Sequence, residues 1–97
     1  MDITEKNETL EFSVTGRIDT NSSPQLEAKI KGCPSNVMEL VLDLSQVEYI
    51  SSAGLRVLLI AHKLMQSRGG KFAVRNPSDF CRRIFEATGM DSALVIR

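Results

Sequence analysis

Two serines and a glycine stand where a strand-like segment passes into the most apolar helix pattern of the sequence: Tyr49-Ile50-Ser51-Ser52-Ala53-Gly54-Leu55. A serine hydroxyl at such a point has two uses. It can accept a hydrogen bond from a free amide of the first turn, as an ordinary N-cap does. It can also carry an anion, which would face unpaired amides and the positive end of the helix dipole, an effect of ~0.3–1 kcal/mol. Nucleophilic catalysis is the third option, and the spacing opposes it. A G-x-S-x-G elbow needs glycine where Ile50 stands, although Gly54 fits the later position. The single histidine, His62, lies ten residues beyond Ser52 on the same helix. At 1.5 Å per residue that is about 15 Å, far outside hydrogen-bond reach.

Other chemistry is weaker still. Asp19, in Gly16-Arg17-Ile18-Asp19, precedes a helix start and fits a turn or capping role. Asp43 falls inside an apolar run, so its charge must reach the strand end or find a donor. Neither carboxylate has an obvious second carboxylate for acid/base work. No phosphate-binding glycine loop occurs, because Gly69-Gly70 precedes a strand instead of a helix. One histidine and the distant Cys33 and Cys81 do not make a zinc site. The residues therefore suggest no catalytic group, no metal and no cofactor.

The elements that must position these groups follow from periodicity. Residues 9–15 alternate apolar and polar, a strand with one buried face that Gly16 ends. A strand around Ile3 is expected to pair with it through a turn at Asn7-Glu8. Ser22-Ser23-Pro24 opens a helix whose apolar stripe is Leu26, Ile30 and Cys33, with Gly32 and Pro34 at its stop. Residues 37–44 form an apolar run suited to a strand covered on both faces. A connection over 45–51 then leads to a helix over 52–67, ended by Gly69-Gly70. Residues 71–75 are the next strand. Asn76-Pro77-Ser78-Asp79 starts a helix carrying Phe80, Ile84 and Thr88 to Gly89, and residues 93–96 form a last short strand. The order β-β-α-β-α-β-α-β implies a single α/β domain over 1–97, a mixed sheet with helices packed on it. Met38, Met65 and Met90 are assigned to the core, and His62 to the surface.

Composition bounds the partners. The 97 residues hold 12 basic and 12 acidic side chains, a net charge of zero. That balance lacks the strong attraction to phosphate backbones or anionic lipid that non-specific nucleic-acid and membrane binders need. The start, Met1-Asp2-Ile3-Thr4-Glu5-Lys6, has no signal-peptide character. No apolar run approaches the ~20 residues of a membrane span. Cys33 and Cys81 sit among apolar positions and read as buried thiols. The expectation is a cytoplasmic protein.

The element order, Gly16-Arg17-Ile18-Asp19 and the segment D-L-S-x-V-x-Y-I-S-S-A-G-L-R-V-L-L over 43–59 resemble a STAS domain, more narrowly the stand-alone bacterial anti-sigma-factor antagonists. The resemblance covers essentially the whole chain. It implies partner switching, with the protein as substrate instead of enzyme. The unphosphorylated form would bind an anti-sigma factor that is also a GHKL-type serine kinase, freeing the sigma factor. Phosphorylation would abolish the complex, and a PPM-type phosphatase would restore it. The phosphoacceptor maps to Ser52, with Ser51 the second candidate, and the partner surface to Asp19, Ser51, Ser52, Ala53, Gly54, Leu55 and Arg56. Many members carry Asp where this chain has Ser51, and relatives usually add a helix after the last strand. Two other readings are a STAS accessory subunit of a membrane transport complex and a small-ligand or nucleotide sensor.

Overall fold

A computed structural model of the chain describes residues 2–6 and 10–97. The elements run β1 (Asp2–Lys6), β2 (Leu10–Ile18), α1 (Ser23–Lys31), β3 (Glu39–Ile50), α2 (Ser52–Ser67), β4 (Lys71–Arg75), α3 (Asp79–Thr88), α4 (Met90–Ala93) and β5 (Val95–Ile96). They build one five-stranded sheet in the order β1-β2-β3-β4-β5. β1 is antiparallel to β2, and β2 through β5 are parallel to one another. The expected mixed α/β fold is therefore present. The expected turn at Asn7-Glu8 lies outside the described residues.

Each parallel step needs a crossover, and right-handed crossovers taken in sequential order stack their helices on one face. That face holds the core: Phe12, Val14 and Ile18 of β2, Leu40, Leu42 and Leu44 of β3, and Val57, Leu58, Ala61 and Met65 of α2 belong to one buried cluster. The other face sets the charged Glu11, Asp43 and Arg75 beside the buried Val41 and Ala73. Asp43 finds its donor there, lying 3.7 Å from the Arg75 guanidinium, which also pairs with Glu11.

Several expectations are corrected. Residues 45–50 belong to β3 and are not a connection, because two register shifts against β2 break the period-two pattern without ending the ladder. Gly16 does not stop β2. With φ of 83° it absorbs the kink at one of those irregularities while still pairing with Val47. Met38 is not core but 49% exposed. The last strand is only Val95–Ile96, because residues 90–93 close a further turn of helix, α4. Cys33, expected on the α1 stripe, lies just beyond the helix end, where it is still buried. Arg68 donates to its carbonyl at 3.2 Å and to that of Pro34 at 2.8 Å, tying the end of α2 to this loop.

Candidate functional site

The site is built where β2 and β3 end together. Ile18 and Ile50 are register partners at the strand ends, and both side chains are buried. The Ser51 amide donates to the Ile18 carbonyl at 2.9 Å, so the segment entering α2 is bonded to the residue preceding Asp19. Asp19 and the start of α2 are thereby neighbours, fixed by backbone and not by flexible side chains.

The two serines divide the roles that the sequence left open. Ser51 has extended backbone (ψ 175°) and is the N-cap, its hydroxyl accepting from the Gly54 amide at 3.3 Å. Ser52 is the first residue of α2 and is exposed. Its hydroxyl has no hydrogen-bond partner among the described residues. The amides of Ser52 and Ala53 are likewise unpaired within the described residues, as the first turn of a helix requires. An anion on Ser52 would meet them and the positive helix end.

Gly54 sets how closely this turn approaches the sheet. A Cβ there would fall 2.7 Å from Ile50 Cγ1, 2.8 Å from Ile18 Cγ2 and 3.0 Å from the Ile18 carbonyl oxygen. The helix start rests directly on the two strand ends, and a side chain would lift it. Leu55 is half-buried against the core, Ala53 is half-buried, and Arg56 is exposed one turn on from Ser52.

Asp19 is the centre of its own turn. Its Oδ1 accepts from the Asn21 and Ser22 amides (both 3.0 Å), and the Ser22 hydroxyl oxygen lies 3.2 Å away, sharing its one proton between this carboxylate and the Arg17 carbonyl. The Ser22 amide is the main cause holding its carboxyl below the ordinary value, partly opposed by desolvation and assisted by Asn21, the Ser22 hydroxyl and Arg17. Ser22, expected as a side-chain cap for α1, caps nothing. Its hydroxyl donates to the Arg17 carbonyl at 2.7 Å and accepts from the Asp19 amide at 2.9 Å, locking the turn instead.

Sequence reasoning missed a neighbouring cluster. Arg17 lies 3.8 Å from the Asp19 carboxylate and stacks its guanidinium 4.3 Å above the Tyr49 ring, its cross-strand partner. Tyr49 in turn meets Phe80 of α3 at 5.3 Å between centroids. The signal was hidden because the register shift at Glu48 is what sets Arg17 opposite Tyr49. His62 is half-buried on the distant part of α2 and does not join the site. Among the described residues no group of three or more His, Cys, Asp or Glu could hold a metal, and no helix is long and apolar enough to cross a membrane.

Comparison with known proteins gives the arrangement a context. The sequence model of the family described as STAS domain matches residues 1–97. An anti-sigma-B factor antagonist of Bacillus subtilis is 27% identical over 96 residues, spanning 99% of this chain and 88% of that protein. The crystal structure of an anti-sigma factor antagonist from Mycobacterium paratuberculosis is similar with TM-score 0.82 and 29% identity, over 97% of this chain and 80% of that one. The fold also matches the anti-sigma factor antagonist SpoIIAA of Bacillus in its unphosphorylated form (TM-score 0.79, 18% identity, 99% and 88% covered). The phosphorylated form matches with TM-score 0.76 at the same identity, covering 99% of this chain and 91% of that one.

Proposed function

The chain belongs to the STAS domain family, and from that premise we propose that it is an anti-sigma-factor antagonist switched by phosphorylation of Ser52. In the unmodified state it binds an anti-sigma factor that is also a GHKL-type serine kinase, and the sigma factor is released. The kinase transfers the γ-phosphoryl group of ATP to the Ser52 hydroxyl, leaving ADP, and the complex comes apart. A PPM-type phosphatase hydrolyses the phosphoserine and resets the cycle. The chain is the object of both enzymes and catalyses neither step.

One observation carries the reading: Ser51 takes the capping role, which leaves the adjacent Ser52 hydroxyl exposed and unengaged at the start of α2. The names of the relatives point to the same class of regulator. The contact surface comprises Asp19 and residues 51–56, with Asp19 held next to the serines by the Ser51–Ile18 hydrogen bond. Phosphate adds about −1.5 to −2 charges and three acceptor oxygens to that surface. A partner docked there must bring buried groups against it, and repulsion plus desolvation then oppose binding.

The switch acts locally. A helix N-terminus tolerates a phosphate, so the fold need not rearrange. SpoIIAA supports this, since both its unphosphorylated and its phosphorylated form share the present fold. The test is co-purification of the kinase with wild-type, Ser52→Ala and Ser52→Asp chains. Wild type and Ser52→Ala retain a GHKL-type kinase, and Ser52→Asp releases it. Equal retention by all three removes Ser52 as the switch.

A further inference from the structure

Arg56 stands on α2 one turn beyond Ser52, and both residues are exposed. Residues four apart on a helix share a face, with Cβ atoms about 5–6 Å from one another. Helical side chains lean toward the N-terminus, so a long side chain at position 56 covers the turn that holds Ser52. The Arg56 guanidinium has no ion-pair or hydrogen-bond partner among the described residues. Its own helix offers none: Ala53, Leu59 and Ile60, three or four residues away, are uncharged, and α2 contains no Asp or Glu. Ser52 is the remaining position within reach, and it becomes charged only as a phosphate ester.

The placement runs against the helix dipole. Asp79 opens α3, and Lys29 and Lys31 close α1, as the dipole favours. By contrast, α2 has no acid in its first turn and a cation in its second. The neighbouring carboxylate does not answer that cation. Asp19 Oδ1 is taken by the Asn21 and Ser22 amides, and Oδ2 lies 3.8 Å from Arg17. Arg17 itself is stacked over the Tyr49 ring. Among the described residues, the start of α2 therefore carries an uncommitted cation on the same face as the unengaged Ser52 hydroxyl.

We propose that Arg56 is the internal partner of a phosphate on Ser52, closing onto it as an ion pair one helical turn long once the serine is modified. This role rests on Ser52 as the phosphoacceptor. The guanidinium presents paired N–H donors that match two phosphate oxygens. Before modification Arg56 belongs to the exposed surface open to a partner. Afterwards its charge and donors are turned to the phosphate, which lies along the helix instead of projecting from it. The switch then withdraws a cationic contact from the docking surface while adding negative charge to it.

The experiment installs phosphoserine at position 52 of the full chain during translation and follows its phosphorus-31 resonance against pH. The second ionisation of phosphoserine falls near pH ~6, and a cation that favours the dianion lowers its midpoint. Arg56→Gln should raise the midpoint by about 0.3 pH unit, the size expected of an exposed pair four residues apart on a helix. Arg56→Lys should keep at least half of that difference, and salt at about 1 M should abolish it. Arg17→Gln should move the midpoint by less than about 0.1 unit, since Arg17 is committed to Asp19 and Tyr49. In the unmodified chain Arg56→Gln should leave the urea midpoint unchanged, which separates ion pairing from a structural role. Equal phosphorus midpoints in the parent and Arg56→Gln chains overturn the proposal. So does a larger shift in Arg17→Gln, or an Arg56→Lys chain that titrates as Arg56→Gln does. No kinase enters the experiment, so these outcomes are separate from the phosphoacceptor assignment, which fails instead if the kinase modifies another residue.

Discussion

Replacing Gly54 by alanine should test whether the strand ends hold the start of α2 in place. The added Cβ would sit 2.7 Å from Ile50 Cγ1, 2.8 Å from Ile18 Cγ2 and 3.0 Å from the Ile18 carbonyl oxygen, where ordinary contacts run 3.4–4 Å. Both isoleucines are buried, and the oxygen accepts the Ser51 amide, so none of the three can give way freely. Overpacking of this kind costs ~1–3 kcal/mol. Alanine returns up to ~1 kcal/mol through its helix propensity. The net expectation is a loss of about 1–2 kcal/mol. Urea unfolding followed by far-ultraviolet circular dichroism reads it directly. With a slope of ~1–3 kcal/mol per molar, the midpoint should fall by about 0.3–2 M at unchanged slope. Phosphorylation of Ser52 should also slow, because the helix start is displaced by several tenths of an ångström. A variant as stable as wild type, or more stable, would refute the close-packing argument.

Three further outcomes are expected. Ser51→Ala should lose ~1 kcal/mol by removing the cap on the Gly54 amide, whereas Ser52→Ala should stay within ~0.5 kcal/mol, since its hydroxyl engages no described residue; paired urea titrations decide, and the reverse order would contradict the assigned roles. Asp19 has its carboxyl held below the ordinary value, so its contribution to stability is present above the unfolded value of ~3.9 and is lost as pH falls through the lower folded value. Asp19→Asn should flatten the acid side of the stability–pH curve below about pH 4, measured by thermal unfolding, and an unaltered curve would count against the turn's role. Burial pushes the Cys81 thiol up, giving stability that is present below the unfolded value of ~8.5 and declines as pH rises above it. Native Cys81 should therefore resist a disulfide-exchange reagent at pH 8 until the chain unfolds, and labelling at the rate of a free thiol would contradict its burial.

The parts of the fold that the sequence made legible are those with a clean period. α2 was readable because its apolar positions recur over 16 residues, and β4 because Gly69-Gly70 and Asn76-Pro77 bracket it. β3 was readable only to Leu44. Beyond it, the shifts between Ser13 and Thr15 and between Gly16 and Arg17 insert extra residues on β3, so alternation fails while pairing continues. The Asp43 carboxylate accepting the Ser45 amide at 2.9 Å marks the first of them. A four-residue helix such as α4 is too short to carry a periodic signal. At the site, sequence placed serines at a helix start but could not say which one caps. That depends on which residue adopts extended backbone, and Ser51 does so because its amide is committed to Ile18. The Arg17–Tyr49–Phe80 cluster was invisible for the same reason as the end of β3: a register shift decides who faces whom.

The central claim is that one phosphate on Ser52 separates the chain from its kinase. The most direct measurement phosphorylates the purified chain with that kinase and ATP, maps the modified residue by tandem mass spectrometry, and titrates both forms against the kinase by calorimetry. A single phosphate on Ser52, none on Ser51, and affinity lower by at least tenfold, a change of ~1.4 kcal/mol, are expected. Phosphate found on Ser51, or equal affinity of the two forms, would contradict the claim.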